Sequence, residues 1–176
     1  MFVAIGNLIY RKGFDVLINS FKRANLVEKG CELVIIGDGP ERENLQKQTE
    51  LLGVSECVRM VGRKTKEEII NYLQMGNAFV LSSRAETFGV VCIEALSQGL
   101  PTIATICGGP EEFIDEHNGV LVPTEDVNAL TDAMIDTYNN YSKYNRKEIA
   151  DNCKNKFSPQ VIAEQLTKIF EEVVKK

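Results

Sequence analysis

Residues 78–105 read AFVLSSRAETFGVVCIEALSQGLPTIAT, and this stretch decides the fold. AFVLSS (78–83) is apolar on both faces, as a strand buried in a helix-covered parallel sheet must be. A helical pattern follows over 88–98. Gly99 follows Gln98 directly, with Pro101 just beyond, which marks the C′ stop of that helix. PTIAT (101–105) is a second apolar run. Strand, helix and strand in so short a space describe a βαβ crossover, whose two strands lie parallel.

The same rhythm extends in both directions. FVAIG (2–6), CELVIIG (31–37), CVRMVG (57–62) and GVLVP (119–123) read as further buried strands. Helical patterns over about 13–25, 40–52, 66–75 and 110–115 lie between them. Thr65 with Glu68 three residues on is a capping box. Ser158 followed by Pro159 fits N-cap and N1. The prediction is a doubly wound, Rossmann-like α/β domain: a parallel six-stranded sheet with right-handed crossovers and helices on both faces. From about 125 the pattern changes to extra C-terminal helices alone, near 125–140, 143–155 and 158–174. The last of these, SPQVIAEQLTKIFEEVVKK, carries Val161, Leu166, Ile169, Phe170 and Val173 on or near one side. The simplest expectation is that it packs on its own domain. No repeat or linker divides the 176 residues, so a single domain over 1–176 is expected.

Composition narrows the function. A formal net charge of -5 argues against a dedicated nucleic-acid binder, whose footprint would be basic. A small anionic ligand stays open, because helix N-termini bind phosphates without net positive charge. No apolar run approaches the roughly 20 residues that span a bilayer, and the N-terminus has no basic n-region or cleavage site. The five cysteines are scattered, without C-x-x-C, which fits a reduced, cytoplasmic protein. With His117 as the only histidine, a His-based zinc site or a local catalytic triad is not expected. GDGPER (37–42) has only the first two glycines of G-x-G-x-x-G and does not complete a dinucleotide fingerprint.

In a doubly wound sheet, ligands bind at the carboxyl ends of the strands. The informative turns are then Gly6-Asn7, Gly37-Asp38-Gly39, Gly62-Arg63-Lys64, Ser82 to Gly89 and Thr105 to Glu112. A helix starting near Thr87–Phe88 leaves the amides of Phe88, Gly89, Val90 and Val91 unpartnered within the helix. Without a side chain, Gly89 lets a phosphate approach the backbone. Glu86 sits in the preceding loop. Glu94 sits in the second turn, its carboxylate leaning back toward the helix start. A carboxylate accepts from two vicinal hydroxyls. An anion at the helix tip, with acids holding diols on either side, describes a sugar nucleotide. Spacing alone also fits a dipole-favoured helix acid and a surface glutamate.

The E-x7-E pattern enclosing Phe88-Gly89, followed by EALSQGLPTIAT, resembles the C-terminal, donor-binding domain of group 1 retaining glycosyltransferases with GT-B architecture. Other segments agree in order: AIGNLIYRKGFDVLINSFKRA, ELVIIGDGPERENL, VRMVGRKTKEEIINYLQMGNAFVLSS and GGPEEFIDEHNGVLVPTEDVNAL. The resemblance implies that Lys12 contacts the donor diphosphate and that Glu86, the catalytic residue, holds hydroxyls of the donor sugar. By the same resemblance, the backbone at Phe88, Gly89 and Val90 meets sugar and diphosphate, Glu94 takes the ribose hydroxyls, and Gly62 and Arg63 flank the base. It further implies a nucleotide diphosphate sugar as donor, no obligatory metal and no other cofactor. The acceptor site belongs to an N-terminal domain absent here, so Met1 directly before a strand suggests a truncated chain. Any membrane contact would come through that missing half. In the family the terminal helix crosses back to the N-terminal domain.

One position departs from the pattern: Asn7 stands where the family usually has an arginine, and Arg11 beside Lys12 is a possible substitute. His117 reads as a solvent-facing loop residue, and Gly108-Gly109 as a turn at the pocket edge with Glu112 facing the donor or simply starting a helix. The competing readings are a nucleotide-sugar epimerase half, a glycoside hydrolase using paired carboxylates, and a non-catalytic α/β interaction module.

Overall fold

The structure, a computed structural model, describes residues 1–174. Six strands form the sheet: β1 (Phe2–Ile5), β2 (Leu33–Ile36), β3 (Val58–Met60), β4 (Ala78–Leu81), β5 (Thr102–Thr105) and β6 (Gly119–Val122). Seven α-helices accompany them: α1 (Phe14–Arg23), α2 (Arg42–Leu51), α3 (Lys66–Met75), α4 (Val90–Ser97), α5 (Val127–Asn139), α6 (Arg146–Phe157) and α7 (Pro159–Val174). The strand order is β3-β2-β1-β4-β5-β6, every pairing is parallel, and the expected doubly wound sheet is present.

Period-two alternation divides each strand between two cores. Phe2, Ala4, Leu33, Ile35, Ala78 and Val80 point to one face, where they meet Leu17, Phe21, Leu45 and Met134 of α1, α2 and α5. Val3, Val34, Ile36, Phe79 and Leu81 point to the other, against Leu73, Ala95, Leu96 and Ile149 of α3, α4 and α6. Both faces are covered, which is why the strands read as unbroken apolar runs.

The capping box forms as expected: the Glu68 amide donates to Thr65 Oγ1, and the Thr65 amide donates to Glu68 Oε2 at 2.8 Å. Gly99 adopts the left-handed conformation (φ 75°) that ends α4. Three expectations need correction. The helix placed at 110–115 is a short 3-10 turn, Gly109–Glu112, which closes when the Phe113 amide bonds back to Pro110 O. Helix α4 starts later than Thr87–Phe88, because Gly89 turns left-handed (φ 84°) and the helix begins after it. Finally, α7 does not bury its apolar side against its own domain. None of its residues is buried, and Phe170 is 65% exposed. The sheet faces it would cover are already closed by α1, α2 and α5 on one side and α3, α4 and α6 on the other.

Candidate functional site

Strands β1 and β4 are neighbours, but the chain leaves β1 toward β2 and leaves β4 toward β5, on opposite sides. Diverging connections open a crevice at the carboxyl ends of these two strands. Two segments meet there. One follows β1 and includes the 3-10 turn Tyr10–Lys12. The other follows β4 and runs from Ser82 to Gly89.

The two segments are bonded at three successive carbonyls. Tyr10 O accepts from Arg84 Nη1 (2.6 Å), Arg11 O from the Arg84 amide (2.8 Å), and Lys12 O from Ser82 Oγ (3.1 Å). Gly13 lets the segments approach this closely. Its φ is 63°, and a β-carbon there would collide with the Ser82 carbonyl. Beyond the turn, the Lys12 stem lies beside Gly6, and its Nζ forms an ion pair with Glu86 Oε2. Both side chains are well shielded, at 14% and 15% exposure, so solvent screens the pair only weakly.

Glu86 is fixed on every side. Its Oε1 accepts the Thr87 amide (3.1 Å). Its own amide donates to Cys107 O (2.9 Å), and its carbonyl accepts from the Gly109 amide (3.3 Å). Burial pushes its carboxyl up, but the hydrogen bond and charge of Lys12 outweigh that and hold it below the usual glutamate range.

On the β1–β2–β3 side of Lys12 lies an open cavity of about 370 Å³, within the range of small-molecule sites. Ile5, Ile36 and Ile69 line it with Gly6 and Gly37, and Asn7, Lys12, Arg63 and Lys64 add its polar lining. No carboxylate lines it; Lys12 and Lys64 are paired with Glu86 and Glu68, which leaves Arg63 as the lining cation without an ion-pair partner among the described residues, so the cavity favours a ligand with an apolar body and an anionic end. Gly62 secures the turn before Arg63 by accepting the Gly37 amide at 2.9 Å.

The structure therefore brings together Lys12, Glu86, Arg63 and Asn7, with Lys12 as the link. It does not draw Phe88, Val90 or Glu94 into that cavity lining. Phe88 packs against Phe113 and Phe157 at centroid distances of 5.9 and 6.4 Å and stays partly exposed. Gly89 is buried, and a β-carbon on it would meet Pro110 at 3.3 Å, so its left-handed backbone, as much as open space, calls for glycine. Val90 is exposed at the first position of α4. The Cys92 amide bonds back to Gly89 O, which leaves the Val90 and Val91 amides ahead of the first helical bond. Glu94 is exposed, and among the described residues nothing engages its carboxylate. Glu112 is exposed too, whereas Glu111 accepts the Gly108 amide at 2.9 and 3.1 Å. His117 is exposed as expected.

Sequence reasoning missed Arg84, together with Asp15, Tyr10 and Glu125 around it. Arg84 forms a two-bond fork to Asp15 at 2.9 and 2.8 Å, and its Nε reaches Glu125 at 2.8 Å. Burial pushes the Asp15 carboxyl up, but Arg84 wins and holds it below the usual aspartate range. An arginine two residues before an expected sugar ligand was the available signal.

Residues 1–171 match the family model described as glycosyl transferases group 1. The lipopolysaccharide core biosynthesis glycosyltransferase LpsD of Rhizobium meliloti is 37% identical over 120 residues, covering 68% of this chain and 33% of that protein. The GDP-mannose-dependent alpha-(1-6)-phosphatidylinositol monomannoside mannosyltransferase of Mycolicibacterium smegmatis is 33% identical over 142 residues, covering 76% of this chain and 37% of that one. Among solved structures, Anabaena HepE in complex with UDP and glucose superposes with a TM-score of 0.84 at 20% identity, over 97% of this chain and 48% of that one. The chain thus spans a third to a half of the length of these proteins.

Proposed function

The chain belongs to the group 1 glycosyl transferases, and from that premise we propose that it is the nucleotide-sugar-binding half of a retaining glycosyltransferase with GT-B architecture. One observation carries this reading: a shielded Lys12–Glu86 ion pair at the switch point of the sheet, beside a cavity lined by cations and isoleucines. In this reading the cavity takes the base, with Gly62 and Arg63 at its edge. Lys12 meets the diphosphate. The Val90 and Val91 amides at the tip of α4 face phosphate or sugar oxygens, as helix starts do. Glu86, released from Lys12 when phosphate takes that cation, accepts from hydroxyls of the donor sugar. Glu94 holds the ribose diol from α4.

Transfer breaks the bond between the sugar's anomeric carbon and the diphosphate. Negative charge then grows on the diphosphate oxygen. Once the donor is bound, Lys12 and the helix tip are already in place, so they stabilise that charge without reorganising during transfer, which is how preorganised donors lower a barrier. No metal or other cofactor is needed in this reading. The acceptor is held by a partner domain outside this chain, so the 176 residues alone bind donor nucleotide and transfer nothing. The relatives differ in nucleotide, GDP-mannose in one and UDP in another, so the base stays open.

The test is calorimetric titration of the chain with UDP, GDP and ADP beside the Glu94→Ala variant. Binding of one nucleotide, weakened in the variant, supports the reading and names the base. Absence of binding to all three at millimolar concentration overturns it.

A further inference from the structure

We infer that Arg84 is the positioning residue of this site: it holds the Tyr10–Lys12 turn in the register at which Lys12 meets Glu86. Its bearing on donor binding rests on the function proposed above. The ion pair it sets does not.

Arg84 uses every edge of its guanidinium. Nη1 donates to Tyr10 O (2.6 Å) and to Asp15 Oδ1 (2.9 Å), Nη2 to Asp15 Oδ2 (2.8 Å), and Nε to Glu125 Oε1 (2.8 Å). Its flat face lies 3.8 Å from the centre of the Tyr10 ring. Isolated surface ion pairs contribute little, but the Arg84 side chain is only 14% exposed and its fork to Asp15 fixes orientation as well as distance. Glu125 holds a left-handed backbone (φ 59°), which a non-glycine residue tolerates only where surrounding contacts over-determine it.

What Arg84 grips matters more than how tightly. Tyr10 lies at the start of the turn that ends with Lys12, and Asp15 lies in the first turn of α1 just after it. The turn is therefore clasped at both ends. Arg84 itself stands two residues before Glu86, and its own amide bonds to Arg11 O. One loop thus supplies both the brace on the cation's turn and the acid that the cation meets. The guanidinium turns to Asp15 and Glu125, while the charges that lower Glu86 are those of Lys12 and Arg11. Arg84 acts on Glu86 through Lys12.

The test is an NMR titration of the Glu86 carboxyl in the wild-type chain, Arg84→Gln and Arg84→Lys, with nucleoside diphosphate binding measured on the same samples. Lysine keeps the charge but cannot make the fork and reach Tyr10 O and Glu125 together. The Glu86 midpoint is expected to rise toward the ordinary glutamate range in both variants. Nucleoside diphosphate affinity is expected to fall about tenfold, and Arg84→Gln should add nothing in a Lys12→Met background. A merely structural arginine would lower the melting temperature and leave the Glu86 midpoint in place. That result, in folded variants, overturns the inference. If the wild type binds no nucleotide yet the midpoint still moves, the donor reading fails and the role of Arg84 stands. Should both variants fail to fold, Glu125→Gln removes one arm only, and the same titration decides.

Discussion

The segment before Gly89 and the helix after it differ in what their side chains do. Ser82, Arg84 and Glu86 spend their polar atoms on the protein itself, on Lys12 O, Tyr10 O, Asp15, Glu125, Lys12 Nζ and the Thr87 amide. Val90 and Glu94, on the helix, show much of their surface to solvent. The nine positions from Glu86 to Glu94 therefore join a part of the site that is built in advance to a part that waits for contacts. The preorganised part sets where charge is tolerated. The exposed part is where ligand-specific contacts are still to be made.

The largest effect should come from forcing the two bolted segments apart. Gly13→Ala places a β-carbon on the Ser82 carbonyl at a left-handed position and is expected to cost about 2–3 kcal/mol, read as a lower urea midpoint. Lys12→Met comes next. It leaves a shielded Glu86 without its cation, which should cost about 1–2 kcal/mol and weaken nucleoside diphosphate binding by at least tenfold. A smaller effect is expected from acid. Asp15 and Glu86 both have folded-state values held below the ordinary range. Their contribution is present in full above the unfolded carboxylate pKa of about 4 and is lost as pH falls through the folded values. Urea midpoints measured from about pH 7 down to pH 3 should show this loss, and the slope should flatten in Asp15→Asn. At the small end, Glu94→Gln should change stability by less than about 0.5 kcal/mol. It should nevertheless erase any preference for ribose over 2′-deoxyribose nucleotides. A Glu94 variant as destabilised as the Lys12 variant would break the comparison between the two segments.

Local patterns made the fold readable. Each apolar run became a strand, and Thr65 and Glu68 capped α3, because these signals lie within a few residues of one another. Lys12 and Glu86 were readable as separate ligands through resemblance, but their pairing was not. Arg84 was harder still. Its partners Asp15, Tyr10 and Glu125 lie 69, 74 and 41 positions away, and no local spacing rule relates them. The turn at Gly109–Glu112 passed for a helix because Pro110 and two acids make a plausible helix start, and only tertiary placement shows that it stops at Phe113. In α7 the apolar side was legible, yet amphipathicity says that a face exists and not what it meets.

The central pairing of β1 with β4 has a consequence in time. Lys12 and Glu86 are 74 positions apart, and their strands run parallel, so they meet only through a long loop closure. Contacts of this kind form slowly, because chain entropy is lost before the pairing rewards it. A chain still emerging from the ribosome carries the turn that holds Lys12 long before it carries Glu86. The salt link between them thus marks the joining of β1 to β4, and a probe that senses it would date the closing of the sheet's centre.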